Sequence, residues 1–284
     1  MAIILDGKRL AGEIRGDLAI KVSSLEERYG RVPHLVVILV GEDPASCVYV
    51  RNKAIACEKA GMRNTTVRLD AGVSEEELLG IIDKMNRDDE VDGILVQLPL
   101  PGHISEDKVI EAIDKEKDVD GFHPLNVAGL WQKTPHVEPC TPMGIMMLLE
   151  SYGIDPKGKR AVVVGRSKIV GLPVAKMLLD RNATVTMCHT RTVNLADETR
   201  RAEILVVAAG RPRVIGGDMI SPGAVVIDVG TNTDENGKYC GDVDFDAAVL
   251  KASAITPVPG GVGPMTIACL LLNTVRCFEN RMNK

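Results

Sequence analysis

Short apolar runs alternate with amphipathic segments along most of the chain, and this alternation restricts the fold more than any other feature of the sequence. Residues 34–41 and 91–97 are apolar enough to form buried strands. Between such runs, apolar residues recur every three or four positions, which is the spacing of an amphipathic helix. Since strands that alternate with helices form right-handed crossovers, the pattern predicts an α/β fold with mostly parallel sheets.

The same patterns predict the individual elements. In the first half they predict helices at 7–29, 45–60, 74–86 and 105–113 and strands at 34–41, 65–69 and 91–97. The alternation stops between 117 and 142, where four prolines interrupt it, and resumes with a bridging helix at 141–152. In the second half the patterns predict strands at 160–164, 184–188, 204–208, 224–229 and 253–256 and helices at 170–181 and 264–280.

The proline-rich segment divides the chain into two predicted lobes. The first is expected at residues 1–121, joined by the last helix at about 270–284, and the second at 122–269. Both are predicted to be parallel α/β units, the second a Rossmann-type doubly wound lobe, with the last helix packing back toward the first lobe. A ligand cleft is expected beside the linking segment.

Charge and composition exclude several classes of protein. With 34 Lys and Arg against 39 Asp and Glu, the formal net charge is −5, so we expect no nucleic-acid partner. No apolar run approaches the roughly 18 residues of a membrane-spanning helix, and the N-terminal residues lack the basic-then-apolar order of a signal peptide. The seven cysteines include no C-x-x-C pair. We therefore predict reduced thiols, no metal site, no membrane partner and a cytoplasmic location.

The segment from 165 to 171 has the layout of a phosphate-binding turn. A predicted strand runs into Gly165 and a helix begins near Gly171, with Arg166 and Ser167 in the turn between them. In a parallel sheet this is where a pyrophosphate binds at a helix N-terminus. The spacing departs from G-x-G-x-x-G, and a tight turn that merely needs glycine is the alternative interpretation.

The end of the next predicted strand bears on the choice between NAD and NADP. An NAD enzyme places an acidic residue there for the ribose hydroxyls, whereas this chain has Thr190 and Arg191. A hydroxyl and a guanidinium suit a ribose phosphate, so NADP is predicted. Arg166 could share the phosphate contact, and a solvated Arg191 is the alternative. The loops at 208–210 and 230–231 are expected to line the nicotinamide side.

Tyr49 and Lys53 lie four residues apart on a predicted helix and share one face, with Ser46 one turn earlier. If this face lines the cleft, burial would lower the Lys53 pKa into a range where the amine transfers protons. Tyr49 could then stack on a planar ring. An amphipathic helix with a snorkelling lysine is the alternative interpretation.

Three further segments place polar or rigid groups near the expected cleft. Gln97 ends a strand, where ligands bind in parallel sheets. Asp118 and Asp120 begin the irregular segment, and an acid there could bind a pterin-like amidine edge in bidentate fashion, with a solvated loop as the alternative. The loop 256–265 contains three glycines and three prolines, so it is expected to be rigid and to border the site.

Taken together, these segments resemble the bifunctional methylenetetrahydrofolate dehydrogenase/methenyltetrahydrofolate cyclohydrolase family. The resemblance covers nearly the whole chain and rests on Val40–Ser46, Tyr49–Lys53, Asp92–Pro101, Lys117–Gly121, Pro139–Pro142, Gly165–Gly171 and Pro257–Thr266. The Tyr-x-x-x-Lys pair, the glutamine after the strand and the second aspartate of Lys-Asp-Val-Asp occur in the family's order. The chain departs from the family at Thr190, where many members have Ser, and at Thr231, where an aliphatic residue is common.

The resemblance implies a homodimeric cytoplasmic enzyme of one-carbon metabolism, with an N-terminal folate-binding catalytic lobe and a C-terminal NADP-binding lobe. It would oxidise 5,10-methylenetetrahydrofolate to the 5,10-methenyl compound with NADP and hydrolyse this to 10-formyltetrahydrofolate in one shared cleft. By the family's pattern Lys53 is the essential catalytic residue, Tyr49 stacks on the aminobenzoyl portion, Gln97 tunes Lys53 and Asp120 holds the pterin. The residues implied to bind the folate are Ser46, Tyr49, Asp120, Pro259, Gly260 and Gly261, and those implied to bind NADP are Gly165, Arg166, Ser167, Thr190, Arg191 and Thr231.

Two other functions remain open at this point. One is a dehydrogenase of the same two-lobe plan that acts on an amino or hydroxy acid, with Lys53 as general base. The other is a nucleotide-binding or regulatory module without activity. The intact set of Tyr49, Lys53, Gln97 and Asp120 weighs against the second, because a decayed site need not retain chemically matched groups.

Overall fold

The fold consists of two compact units. The structure, a computed structural model, describes residues 2–235 and 237–283. Residues 12–140 and those from 267 onward make up one unit, and residues up to 11 together with 141–266 make up the other. After their main sheets, we refer to them as the three-stranded unit and the six-stranded unit.

Strands and helices alternate through both units. Within the described residues the strands are β1 (Ile3–Ile4), β2 (His34–Val40), β3 (Arg63–Leu69), β4 (Gly93–Val96), β5 (Arg160–Val164), β6 (Thr184–Cys188), β7 (Ile204–Val207), β8 (Val225–Asp228), β9 (Asn232–Thr233), β10 (Tyr239–Cys240) and β11 (Ala254–Ile255). The α-helices of the same residues are α1 (Gly7–Tyr29), α2 (Pro44–Lys59), α3 (Glu75–Arg87), α4 (Glu106–Ala112), α5 (Pro124–Gln132), α6 (Cys140–Ser151), α7 (Gly171–Asp180), α8 (Leu195–Thr199), α9 (Phe245–Ala248) and α10 (Val262–Met282). None of these helices is long and apolar enough to cross a membrane.

The three-stranded unit is built on a parallel sheet with the strand order β3-β2-β4. β2 is buried along its whole length, as its unbroken apolar run predicts. Side-chain caps determine where two of the helices begin: Asp43 accepts from the Ser46 N–H at the start of α2, and Ser74 accepts from the Glu77 N–H at the start of α3. Because β2 and β4 are parallel neighbours, their carboxyl ends lie at one edge of the sheet, and α2 follows β2 from that edge.

The six-stranded unit has a parallel sheet with the order β1-β11-β8-β7-β5-β6, and β9 and β10 form a small antiparallel pair. The chain passes from β5 through α7 to β6 on one side, and β7 then lies on the other side of β5. Successive strands of the chain are therefore added first on one side of β5 and then on the other, and the strand order reverses between β5 and β7. In such sheets, ligands bind outside the carboxyl ends of the strands at this point.

The structure confirms the predicted fold class, with parallel sheets in both units. The predicted return of the last helix is also observed, since α10 from residue 267 onward belongs to the three-stranded unit. In that unit the Phe278 ring meets the Tyr29 ring edge-on, with the centroids 5.7 Å apart.

The compact units differ from the predicted lobes at two places. The sequence patterns place the irregular segment 122–140 in the second lobe, but in the structure it contains α5 and belongs to the three-stranded unit. α5 was missed because its short, largely apolar sequence has no amphipathic period, although His123 caps it and Pro124 occupies its first turn. The sequence patterns also place residues 2–11 in the first lobe, but β1 pairs with β11 and joins them to the six-stranded unit.

Candidate functional site

Lys53 lies on α2 with its side chain buried, and only 8% of the residue is exposed. Its Nζ donates a hydrogen bond to Gln97 Oε1 at 2.9 Å. Gln97 Nε2 in turn donates to the Leu98 carbonyl at 2.6 Å. Because Nε2 is engaged in this way, the amide oxygen, which can only accept, faces the lysine. Gln97, directly after β4, therefore presents a hydrogen-bond acceptor to the buried amine in a fixed position.

Burial changes the acid–base behaviour of Lys53 and of Asp120. Loss of hydration lowers the pKa of Lys53 from its ordinary value of 10.5, while the charge of Asp120 acts in the opposite direction. Loss of hydration raises the pKa of Asp120 to about 6, against the opposing effect of Lys53. An amine with a lowered pKa beside a carboxyl that ionises just below neutral pH is suited to proton transfer.

The segment that carries Asp120 uses its neighbouring side chains for structure. Lys117 Nζ donates to three carbonyls at the end of α3, at distances of 2.7–3.0 Å. The Asp118 carboxylate accepts from the N–H of Gly121 at 3.0 Å and from Asn126 Nδ2 at 2.8 Å. These contacts hold the chain on both sides of Asp120, whose carboxyl interacts electrostatically with Lys53. Asp118 therefore has a structural role, whereas Asp120 is the aspartate that interacts with the buried amine.

Two buried thiols lie close enough to influence this pair, and sequence reasoning did not name them as site residues. Cys57 follows Lys53 by one helical turn, and burial raises its pKa to about 12. Cys140 Sγ donates to the Val119 carbonyl at 3.3 Å, and burial raises its pKa well above the ordinary value. Both thiols stay neutral at physiological pH and add no charge around Lys53. Cys140 lies in a segment of the family resemblance, but the spacing of the cysteines did not predict that it would lie near Lys53.

Tyr49 lies half-buried on α2, one turn before Lys53 and on the same face, as the spacing predicted. Ser46 is buried near the start of the helix, and its N–H donates to Asp43 Oδ2 at 2.8 Å. Ser46 therefore belongs to the N-terminal cap of α2, a structural role that sequence reasoning did not assign to it.

The turn at the end of β5 brings three backbone segments very close together. Gly165 has a φ of +122°, and a Cβ built there would lie 2.1 Å from the Ala208 carbonyl oxygen that follows β7. A Cβ on Gly171, the first residue of α7, would lie 2.3 Å from the Gly165 carbonyl oxygen. Only glycine fits at either position. Because both positions lack a side chain, the backbone before the N-terminus of α7 can be approached closely, as the binding of a dinucleotide pyrophosphate requires.

Ser167 helps to begin α7 from within this turn. Its Oγ accepts from the N–H of Val170 at 3.2 Å and of Gly171 at 3.3 Å. Arg166 is exposed beside it. The turn therefore offers a positive charge next to a helix N-terminus, which suits an anionic ligand.

The residues predicted to select NADP lie in a second turn, after β6. The His189 N–H donates to Thr192 Oγ1 at 2.8 Å, which closes the turn. Thr190 and Arg191 are exposed within it, and so is Thr231 after β8. Since β5 and β6 are parallel neighbours, this turn and the Gly165 turn lie at the same edge of the sheet. A guanidinium and a hydroxyl at that edge fit a ribose phosphate.

The glycine- and proline-rich loop before α10 also belongs to the six-stranded unit. The Gly261 N–H donates to the Pro257 carbonyl at 2.8 Å, and the Lys8 N–H donates to the Gly260 carbonyl at 2.9 Å. The bond from Val258 to Pro259 is cis. The structure brings Lys53, Gln97 and Asp120 together in the three-stranded unit. This loop belongs to the other unit, and so do the turns at 165–171 and 189–192, which we call the nucleotide turns.

Two family descriptions cover most of the chain. Residues 5–120 match the model of the tetrahydrofolate dehydrogenase/cyclohydrolase catalytic domain, and residues 139–282 match the model of the NAD(P)-binding domain of the same family. The chain is 57% identical over 283 residues to the bifunctional protein FolD of Magnetococcus marinus. That alignment covers 100% of this chain and 99% of the relative.

Two solved structures share the fold along the whole chain. The bifunctional FolD enzyme of Campylobacter jejuni is 49% identical with a TM-score of 0.96, and the match covers 99% of this chain and 100% of that one. The enzyme of Trypanosoma brucei, solved with NADP and an inhibitor, is 42% identical with a TM-score of 0.96, covering 100% of this chain and 99% of that one. Because family models, full-length relatives and the fold all agree, the chain belongs to the tetrahydrofolate dehydrogenase/cyclohydrolase family.

Proposed function

We propose that this enzyme oxidises 5,10-methylenetetrahydrofolate to 5,10-methenyltetrahydrofolate with NADP and then hydrolyses that product to 10-formyltetrahydrofolate. The observation that carries the proposal is the buried Lys53, hydrogen-bonded to Gln97 and influenced by the charge of Asp120, within the part of the chain that matches the family's catalytic domain. The names of full-length relatives, which describe bifunctional enzymes, support both activities.

In the hydrolytic step, water adds to the methenyl carbon and loses a proton. The Lys53 amine is suited to accept that proton, because burial lowers its pKa and so increases the fraction of neutral amine. Gln97 Oε1 accepts one Nζ hydrogen and orients the amine. The hydroxyl of the adduct then loses its proton to solvent as the carbon–N5 bond breaks, and Lys53 can return its own proton to N5, which leaves the formyl group on N10.

The oxidative step removes a hydride from the methylene carbon of the folate and leaves the methenyl cation. NADP, when bound, supplies the hydride acceptor. We assign its phosphates to the turn of Gly165, Arg166 and Ser167 and its ribose phosphate to Thr190 and Arg191, with Thr231 on the nicotinamide side. The Trypanosoma brucei enzyme, solved with NADP, supports this choice of cofactor.

The folate is proposed to be held mainly by side chains of the catalytic-domain match. Tyr49 would stack on the aminobenzoyl ring, which its half-buried position one turn before Lys53 allows. The Asp120 carboxyl would bind the amidine edge of the pterin by paired hydrogen bonds. Ser46 and the backbone of 259–261 complete the proposed substrate contacts.

An absorbance assay with methylenetetrahydrofolate and either NADP or NAD tests the proposed function. We expect reduced nucleotide to form with NADP, without lasting accumulation of the methenyl compound. Accumulation of that compound would contradict efficient hydrolysis and the role of Lys53. Hydrolysis of supplied methenyl folate without any nucleotide reduction would contradict the dehydrogenase activity.

Replacing Arg191 with Ala is expected to raise the KM for NADP by roughly 10- to 150-fold, which corresponds to about 1.5–3 kcal/mol for a charge-assisted hydrogen bond. The KM for NAD should change much less, because NAD lacks the ribose phosphate. Steady-state kinetics with both nucleotides measure the difference. Arg181→Ala is the matched control. Arg181 is also exposed, but it lies at the C-terminal end of α7, whereas the Gly165 turn lies at the N-terminal end of that helix. Equal effects on both nucleotides would assign the phosphate to another residue.

We propose further that the enzyme works as a homodimer in the cytoplasm and has no nucleic-acid partner. The seven cysteines are unpaired and six of them are buried, which suits a reducing compartment. The net charge of −5 is unfavourable for binding a phosphate backbone. Sedimentation equilibrium tests the dimer, and a monomeric mass would contradict it.

A further inference from the structure

A buried carboxylate in the six-stranded unit binds the loops that follow both β7 and β8. Asp242 has no exposed surface. Its Oδ2 accepts from the N–H of Ala209 at 2.6 Å and of Gly210 at 3.0 Å, and its Oδ1 accepts from the N–H of Arg211 at 2.9 Å. Asn232 Nδ2 donates to the same Oδ1 at 2.8 Å. Four donors fill the acceptor capacity of the two oxygens.

Asp228, the last residue of β8, anchors Asp242 in turn. Its Oδ1 accepts from the N–H of Asp242 at 2.9 Å and of Gly230 at 3.0 Å, and its Oδ2 accepts from the N–H of Val243 at 3.0 Å. A Cβ on Gly241 would lie 1.8 Å from Asp228 Oδ2, so only glycine allows this approach. The chain at 241–243 is therefore held against the end of β8.

Three successive N–H groups that converge on one anion form the kind of concave site that binds phosphate in other proteins. Here the anion is Asp242, so the N–H groups of the loop after β7 already have their partner. The same loop begins at Ala208, whose carbonyl oxygen occupies the space that a Cβ on Gly165 would need. The position of this loop therefore also determines the shape of the nucleotide turn.

We propose that Asp242 is a positioning residue for the dehydrogenase reaction, which holds loops 208–211 and 230–232 in the conformation that receives the nicotinamide end of the dinucleotide. The inference rests on the proposed function, which assigns those loops to the nucleotide. Asp242 acts through the backbone of the loops. A loop that is already ordered loses less conformational entropy when a ligand binds, so the carboxylate increases nucleotide affinity.

Asp242→Asn is the first test, because it replaces one accepting oxygen with an amino group that faces N–H donors. We expect the Kd for NADP, measured by calorimetry, to rise by about tenfold or more, and kcat/KM for oxidation to fall accordingly. Hydrolysis of supplied methenyl folate should stay within about twofold of wild type, since Lys53, Gln97 and Asp120, its proposed catalytic residues, lie in the other unit. Asp244→Asn, two residues further on, is the matched control and should leave nucleotide affinity unchanged.

Hydrogen exchange in the nucleotide-free proteins supplies a readout besides activity. The amides of 209–211 should exchange at least about tenfold faster in Asp242→Asn than in wild type. If that variant does not fold, Asn232→Ala removes one donor and leaves the carboxylate, and should raise the Kd for NADP by a smaller factor.

Three outcomes would overturn the positioning role of Asp242. They are unchanged NADP affinity in the folded variants, unchanged exchange at 209–211, and a parallel loss of oxidation and hydrolysis, which would indicate a merely structural role. Failure of the wild-type enzyme to oxidise methylenetetrahydrofolate with NADP would overturn the proposed function instead. The two failures are therefore distinguishable.

Discussion

Replacing Lys53 with Met is expected to slow hydrolysis of the methenyl folate by about 100-fold or more, the lower end of what acid–base catalysis contributes. Methionine has a similar length and no proton to transfer, so it preserves the packing and removes only the amine. The fold should survive, because burial disfavours the charged form of Lys53 and a thioether carries no such cost. The loss of methenyl absorbance at saturating substrate measures the effect.

Lys59→Met is the matched control for this variant. Lys59 lies in the last turn of the same helix and is exposed, so its replacement should leave hydrolysis within about twofold of wild type. NADP affinity should be unchanged in both variants, since the nucleotide turns belong to the six-stranded unit. Hydrolysis near the wild-type rate in Lys53→Met would remove Lys53 from the mechanism.

Much of the fold could be predicted because its signals are local. The predicted bounds of α1, β5 and β6 coincide with those observed, since each has a periodic or continuous apolar pattern with clear ends. β1 could not be predicted in this way. It has two residues, and its place in the sheet depends on pairing with β11, about 250 residues later in the chain.

The candidate site shows the same limit. Spacing placed Tyr49 and Lys53 on one face, but the strand order β3-β2-β4, which brings the end of β4 to α2, is a tertiary property. The pattern Lys-Asp-Val-Asp did not distinguish its two acids, and only the family resemblance selected Asp120. The structure supplies the physical distinction, because Asp118 is engaged by donors that follow it in the chain. Asp242 belongs to no spacing motif, so the sequence alone gives no reason to select it.

Asp92→Ala is expected to destabilise the three-stranded unit by about 3–5 kcal/mol, the range for breaking a buried ion pair from one side. Asp92 has no exposed surface, and its Oδ1 accepts from Arg31 at 2.8 Å and from Arg281 at 3.2 Å. Its Oδ2 accepts from Arg31 at 2.9 Å and from the His34 N–H at 3.0 Å. Removal would leave two guanidinium groups and a backbone donor without this partner, and would remove the carboxylate that links Arg281 of α10 to the start of β2.

The single tryptophan of the chain makes this effect measurable in the unit concerned. Trp131 lies on α5, within the three-stranded unit, so its fluorescence during urea unfolding follows that unit rather than the other. Asp89→Ala is the control, because the Asp89 side chain also meets Arg281, at 3.3 Å, but is fully exposed. Its loss should cost far less than the loss of Asp92, because an exposed ion pair is screened by water. If Asp92→Ala cost no more than Asp89→Ala, water would be replacing the carboxylate at both arginines, and burial of the charge would not be what links α10 to the sheet.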